Sequence, residues 1–370
     1  MTHRLYEMNV ESEQVTPLLE GDQALWGFSI ARDGVHAAYL ASTVRSPGDV
    51  RVAKLRASKS VRLTELNPQL KAIRFGARRV VRWSSPDGTA IEGLLIEPVN
   101  YRRGSRVPLL VQMEGTYGTY DLSFSGRVAA DLDAPFPFQQ QVFAGLGFAV
   151  LLPNPRGSWG YGAKFQLAGK GDFGTGPLAD ILSGVEAMIQ RGIADSTRLG
   201  IMGSGFDGYR ALLAITRTKK FKAASVDNAL FDLVALHADL SSPGAVGPPA
   251  TAIASLIGGT PQSAADEYAR ISPANFVDSL RTPVLITHYT QFPYNNNQAE
   301  QLERAVKQHG MVAERFPYTP SSPFGTMDPK TLEEAVARNA EWFVRWMAPL
   351  ATSAAPTRRA NTARLTKNHN

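Results

Sequence analysis

RLGIMGSGFDGYRALLAI, residues 198–215, joins a short apolar run to a helical one through a turn with glycines at 203, 205 and 208. Leu199–Met202 has the length and continuity of a buried strand, and Tyr209–Ile215 opens a helix. The glycines permit the strained backbone of so sharp a strand-to-helix turn and let helix and strand approach closely. Outward from this turn the alternation repeats. VPLLVQM (107–113), AVLLPN (149–154), AASVDNA (223–229), PVLITHY (283–289) and AERFPY (313–318) are strand-length apolar runs. Between and after them lie FQQQVFAGLGF (138–148), PLADILSGVEAMIQRGI (177–193), QAEQLERAVKQHG (298–310) and LEEAVARNAEWFVRWMAPL (332–350), all with helical character. Strands apolar on both faces and separated by helices mean a mostly parallel sheet covered on both sides, a doubly wound α/β domain. In the last helix Leu332, Val336, Trp342 or Phe343, and Trp346 fall at helical spacing, which predicts core rather than a cofactor box.

The domain begins near residue 76 with VVRWSSPDGTAIEGLLIEP (80–98), a hairpin with a Pro-Asp-Gly turn. Before it the pattern is different. RLYEMNV, ALWGFSI, HAAYLAS and VRVAKL are short strands separated by turn groups such as Arg32-Asp33-Gly34 and Ser46-Pro47-Gly48-Asp49. Residues 4–19 echo 49–65, with Val15 against Val61. A repeat of that length built from four strands is a propeller blade, so residues 1–75 read as about one and a half blades. One and a half blades leave faces uncovered, because blades are normally covered by their neighbours. A small β-domain lying against the main domain is the alternative reading.

Composition narrows the chemistry. The 370 residues contain no cysteine, which removes disulfides, thiolate metal sites and cysteine nucleophiles. No H-x-x-x-H pair or clustered aspartate pair suggests a metal, and no cofactor motif is present. Gly157-Ser158-Trp159-Gly160-Tyr161-Gly162 lacks the Lys-Ser/Thr of a phosphate loop. The net charge of +6 owes four positive charges to Arg358, Arg359, Arg364 and Lys367 in the last twenty residues, which read as a disordered basic tail, 351–370. The rest is near neutral, so a nucleic-acid partner is not expected. No apolar run approaches the ~18 residues of a membrane span. The start MTHRLYEMNVESEQV has no apolar signal region, which predicts a cytoplasmic protein.

NPRGSWGYGAKFQLAGKGDFGTGPLADILSGVEAMIQRGIAD (154–195), IGGTPQSAADEYARISPANFVDSLRTPVLITHY (257–289) and QAEQLERAVKQHG, with the turn at 203–209, resemble the prolyl oligopeptidase family of serine peptidases. Acylaminoacyl- and dipeptidyl-peptidase-like members are included, and the likeness runs to about residue 348. It implies an α/β-hydrolase domain, 76–350, beneath an N-terminal propeller, with a Ser–Asp–His triad at its centre. The triad positions are expected to be vacant here. The family turn G-G-S-Y-G-G-Y falls on Gly203-Ser204-Gly205-Phe206-Asp207-Gly208-Tyr209, so the nucleophile slot holds Gly205, and Ser204, one position early, points toward the packed side. The acid slot holds Phe292 and the histidine slot Ser322. The family's oxyanion loop corresponds to Glu114-Gly115-Thr116-Tyr117.

A serine hydroxyl is a poor nucleophile without a base in reach, so the expected protein is a non-catalytic pseudo-peptidase. It would act by binding a peptide or small ligand, or by assembling with a homologous active subunit or a chain that completes the propeller. Glu114, Tyr117 and Asp207 are the ligand-pocket candidates: either a cleft re-tuned for a cationic or amine ligand, or drift on an exposed rim. The rival is a serine-type hydrolase with a non-standard site, using Ser204, or Glu114 and Asp207, as its chemical groups.

Overall fold

In the computed structural model, residues 5–19, 24–57, 59–113, 119–124, 127–128, 138–245, 247–319 and 328–347 are described. Strands β1 (Tyr6–Met8) and β2 (Val15–Pro17) pair as an antiparallel ribbon. Next, β3 (Ala24–Ile30), β4 (His36–Thr43), β5 (Ser46–Lys54) and β6 (Ser60–Arg62) form an antiparallel four-stranded meander. The strand count is that of one blade, and the ribbon stands where the sequence echo puts it: Val15 lies in β2 and Val61 in β6. Tyr39, Ala41 and Ala53 of the meander pack with Leu19 in a small core of their own. Val61 and Leu63 are 65% and 59% exposed, so this sheet is not covered at its β6 edge.

The larger domain uses β7 (Arg78–Ser84), β8 (Ala90–Ile96), β9 (Val107–Met113), the short pair β10 (Thr119–Tyr120) and β11 (Arg127–Val128), then β12 (Ala149–Asn154) and β13 (Ala194–Ser204). It ends with β14 (Phe221–Asp227), β15 (Val284–Tyr289) and β16 (Ala313–Tyr318). Helices are α1 (Gln140–Gly145), α2 (Ala163–Leu167), α3 (Gly176–Gln190), α4 (Phe206–Arg217), α5 (Leu233–Ser241), α6 (Ala250–Ile257), α7 (Ala265–Ile271), α8 (Pro293–Gln308) and α9 (Pro329–Met347). Eight strands form one sheet in the order β16-β15-β14-β13-β9-β12-β8-β7. Only β8 runs against its neighbours. This is the doubly wound, mostly parallel sheet that the strand–helix alternation predicts.

Helices α1 and α9 cover one face, where Phe143, Trp342 and Phe343 pack on Leu110, Met202 and Leu285. Helices α3, α4 and α8 cover the other, where Ile181, Leu212 and Leu302 share a core with Leu109, Val111 and Ile201. The buried stripe of α9 is Ala335, Asn339, Trp342, Phe343 and Met347, one step around the helix from the expected Leu332–Val336–Trp346 line. Helix α8 begins at Pro293, a turn and more before the QAEQLERAVKQHG segment, because Pro fits a first helical turn. No helix among the described residues is long and apolar enough to cross a membrane. The chain steps from β9 to β12 on one side and later to β13 on the other. That reversal is a switch point, and in such sheets the ligand crevice lies outside the carboxyl ends of the strands there.

Arg156, from the loop after β12, fastens the sheet to α3. Its guanidinium is bidentate on the fully buried Asp180 at 2.7 and 2.9 Å, and its backbone N–H donates to the same carboxylate at 2.9 Å. The exposed Asp87 of the hairpin turn adds a third contact at 2.7 Å. Removing one partner of a buried pair leaves the other charge uncompensated. Asp180→Ala is therefore expected to cost about 3 kcal/mol or more, and Asp87→Ala less than about 1 kcal/mol. Urea unfolding midpoints of the two variants check the ranking.

Candidate functional site

The strand-to-helix turn is where the crevice opens. Gly205 caps α4 with φ 56° and ψ −120°, and the neighbouring Ser204 is still the last residue of β13. A side-chain-bearing residue in that conformation costs roughly 1–3 kcal/mol; glycine avoids it. A Cβ built on Gly205 meets nothing within 4 Å, so the one strained position of the turn faces open space. The glycines on either side serve a different purpose. A Cβ on Gly203 would lie 2.5 Å from the Asp207 carbonyl oxygen, and one on Gly208 would lie 2.8 Å from Ala229 Cβ. Closeness of helix to strands, not backbone freedom, fixes those two.

Ser204 is half-buried, and its hydroxyl donates to Asp227 Oδ2 at 2.9 Å. Asp227 ends β14 and is buried between β13 and β15, which flank it in register at Ser204 and Thr287. Its carboxylate also accepts from the Thr287 hydroxyl at 2.7 Å and from the Asn228 amide at 2.8 Å. The Asp227 carbonyl accepts the Gly205 N–H at 2.8 Å. Asn228, at φ 46°, extends the network: its Oδ1 accepts the Tyr289 N–H at 2.7 Å and the Asn295 amide of α8 at 2.8 Å. Two adjacent residues thus tie the ends of β13, β14 and β15 and the start of α8. The Asp-Asn pair inside AASVDNA, two polar side chains closing an apolar strand at the crevice edge, was the signal; read only as strand, it predicted none of this.

Burial pushes the Asp227 carboxyl up to about 6, and its bonds from Thr287, Ser204 and Asn228 hold it from rising further. Burial also pushes up the hydroxyls of Tyr289 and Tyr318, and both feel the Asp227 charge. The group in hydrogen-bond reach of Ser204 is therefore a carboxylate rather than an imidazole.

The other sequence candidates are dispersed. Asp207 is buried and ion-paired to Arg210 at 3.0 Å within α4, which corrects the expectation that its carboxylate borders an open pocket. Phe292 stands at the N-cap of α8 with its ring centroid 5.9 Å from that of Tyr294. Glu114, Tyr117 and Ser322 lie outside the described residues, as does the tail 351–370. His288 is buried with Nε2 3.3 Å from Arg315, and burial and that guanidinium hold its imidazole below the usual range. His237 packs edge-on to Tyr268, and His309 bonds Asp278 at 2.5 Å. Among the described residues no group of three His, Asp or Glu is placed to hold a metal.

A carboxyl whose pKa is raised in the folded chain holds a proton there that the unfolded chain has already lost. The stabilisation is complete below the ordinary value of 3.8 and is lost as pH rises through about 6. In Asp227→Asn the amide oxygen can accept from Ser204 and Asn228 while its N–H donates to Thr287 Oγ1. The variant is expected to gain on the wild type by roughly 2.4 kcal/mol between pH 4 and pH 7.5. Urea unfolding of both proteins at the two pH values measures it, and a constant difference would contradict it.

The prolyl oligopeptidase family model matches residues 134–349. An uncharacterised peptidase of Bacillus subtilis, YuxL, is 27% identical over 274 residues, covering 71% of this chain and 38% of that protein. Dipeptidyl-peptidase 5 of Porphyromonas endodontalis is 22% identical over 93% of this chain and 48% of its own length. Acylaminoacyl peptidase of Pyrococcus horikoshii superposes with a TM-score of 0.75 at 22% identity, over 93% of this chain and 52% of that one. A puromycin-hydrolysing peptidase of Mycobacterium tuberculosis superposes with a TM-score of 0.77 at 20% identity, covering 93% and 50%. The chain thus spans about half the length of these relatives, or less, and the two superpositions bear on the fold. With the family model covering more than half of it, the chain belongs to the prolyl oligopeptidase family.

Proposed function

We propose that this chain is a pseudo-peptidase: a prolyl oligopeptidase-family scaffold whose crevice binds a peptide or small ligand without cleaving it. The observation that carries the reading is the backbone at position 205. The strained turn that presents a nucleophile in this family falls on a residue with no side chain. The other two triad slots, Phe292 and Ser322, carry neither carboxylate nor imidazole. Without a nucleophile and its base, what remains is the shaped crevice and whatever donors line it, and those bind rather than turn over.

A second reading rests on a different observation, the 2.9 Å bond from Ser204 to Asp227. A carboxyl near pH 6 is mostly ionised at neutral pH and is a competent general base, so Ser204 with Asp227 would make a two-residue hydrolase. Against it stand the three donors that already engage that carboxylate.

Excess fluorophosphonate followed by intact mass separates the two. The expected result is an unmodified chain. A stoichiometric adduct mapped to Ser204 would replace the pseudo-peptidase with the Ser204–Asp227 hydrolase. Gly205→Ser serves as the companion: its side chain enters open space, so it folds and loses about 1–3 kcal/mol to backbone strain. Native mass measurement of the protein isolated from its own cells tests the binding half, where a bare monomer would count against a retained ligand.

A further inference from the structure

The far edge of the sheet, where the parallel strands begin, is chemically unlike the crevice. Residues 216–222, Thr-Arg-Thr-Lys-Lys-Phe-Lys, carry four cations in seven positions and no acid. They run from the end of α4 into β14 and border a groove of about 620 Å³ lined by Thr216, Arg217, Thr218, Lys219, Lys220 and Ser279. Three cations and three hydroxyls line it, and no carboxylate does.

The positive charge here exceeds its local compensation. The carboxyl end of α4 offers the equivalent of about half a negative charge. Lys220 is paired with Glu186, and Arg270 with Glu267. Arg217 has no carboxylate partner among the described residues: it lies 3.7 Å over the Phe276 ring and donates to the Arg270 carbonyl at 2.5 Å. Burial and the nearby Arg270 charge both disfavour its ionised form. Lys219 and Ser279 are exposed and make no hydrogen bond or ion pair among the described residues. Thr216 donates to the Leu213 carbonyl at 2.8 Å, and Thr218 Oγ1 accepts the Lys220 N–H at 3.3 Å, which leaves the Thr218 hydroxyl proton to donate.

The charge continues along the edge. Leu199 of β13 is in register with both Leu109 of β9 and Phe221 of β14, so Arg106 and Lys220 precede the two strands that flank β13, on one border. Two interstrand spacings, about 10 Å, separate those two strands. Arg102, Arg103 and Arg106 are exposed there and without an ion-pair partner among the described residues. A near-neutral body conceals this segregation, and such a field concentrates anions at the groove.

We propose that the groove at the end of α4 binds a small ligand bearing clustered phosphate groups. Hydroxyls and a free ammonium donate to the phosphate oxygens, and the Arg102–Arg106 turn supplies long-range attraction. The site lies on the opposite edge from Gly205 and stands independently of the pseudo-peptidase reading.

Calorimetric titration of the full chain with inorganic tripolyphosphate at low salt, with sulfate at matched ionic strength as control, tests it. Saturable one-to-one binding is expected, weakened about tenfold or more in Lys219→Ser/Lys220→Ser. The single variant Lys219→Glu, at an exposed unpaired position, should abolish binding while melting with the wild type. Sulfate binding as well as tripolyphosphate, or affinity unchanged in these variants, would overturn the site. So would a fifteen-nucleotide single strand that binds where tripolyphosphate does not and is lost only in Arg102→Ser/Arg103→Ser, which would make the edge a nucleic-acid surface.

Discussion

The Asp227 carboxylate holds the crevice together. A buried charge needs either a counter-ion or enough donors to replace water. Asp227 has the second arrangement: two hydroxyls and one amide, with no cation on it among the described residues. Each donor comes from a different place in the chain, so satisfying the carboxylate fixes the spacing of three strand ends at once. The Gly205 N–H on the carbonyl of the same residue then orients the first turn of α4. Neighbouring Asn228 carries the constraint to α8 through the Asn295 amide. The alignment of the crevice floor follows from two polar side chains at the end of one strand.

Gly205 depends on that frame. A glycine has no intrinsic preference for φ 56°, ψ −120°, and in isolation it would sample both halves of the map. What holds it there is the N–H bond to Asp227 on one side and the tight Gly203–Asp207 and Gly208–Ala229 approaches on the other. The positive-φ conformation of Gly205 is thus kept by its neighbours. Tyr209 continues the packing by stacking on Phe173 at 5.1 Å, so the helix is anchored immediately after the turn.

The fold was legible because its signals are one-dimensional. Apolar runs of strand length, helical periodicity and a glycine-rich turn at 203–208 each survive without knowledge of what lies opposite, and together they specify the eight-stranded sheet. The N-terminal antiparallel strands were legible as short apolar runs between turn groups. The site was only half legible. The positive-φ turn at Gly205 is local in sequence, whereas the direction of Asp207 is not, because a glycine-to-aspartate difference says nothing about where the side chain goes. Arg210, three residues on, takes up its charge. The Asp227 network joins residues 204, 227, 228, 287 and 295, and no spacing rule connects them. Such a cluster exists only once strand order is known.

The energies at the turn suggest why the frame tolerates its own chemistry. A serine at 205 would store about 1–3 kcal/mol of backbone strain, which an active hydrolase recovers as a preorganised nucleophile. With glycine that strain is absent. The buried Asp227 carboxylate, on the other hand, costs about 3 kcal/mol at neutral pH relative to its protonated form. Strain is thus relieved at one residue and electrostatic cost taken on at another, 2.8 Å away through a shared hydrogen bond. The crevice floor remains a place where the fold gives up stability for a defined polar geometry. A packed apolar end to β14 would hold the strands together at less cost, but it would not orient Ser204, Asn228 and Asn295.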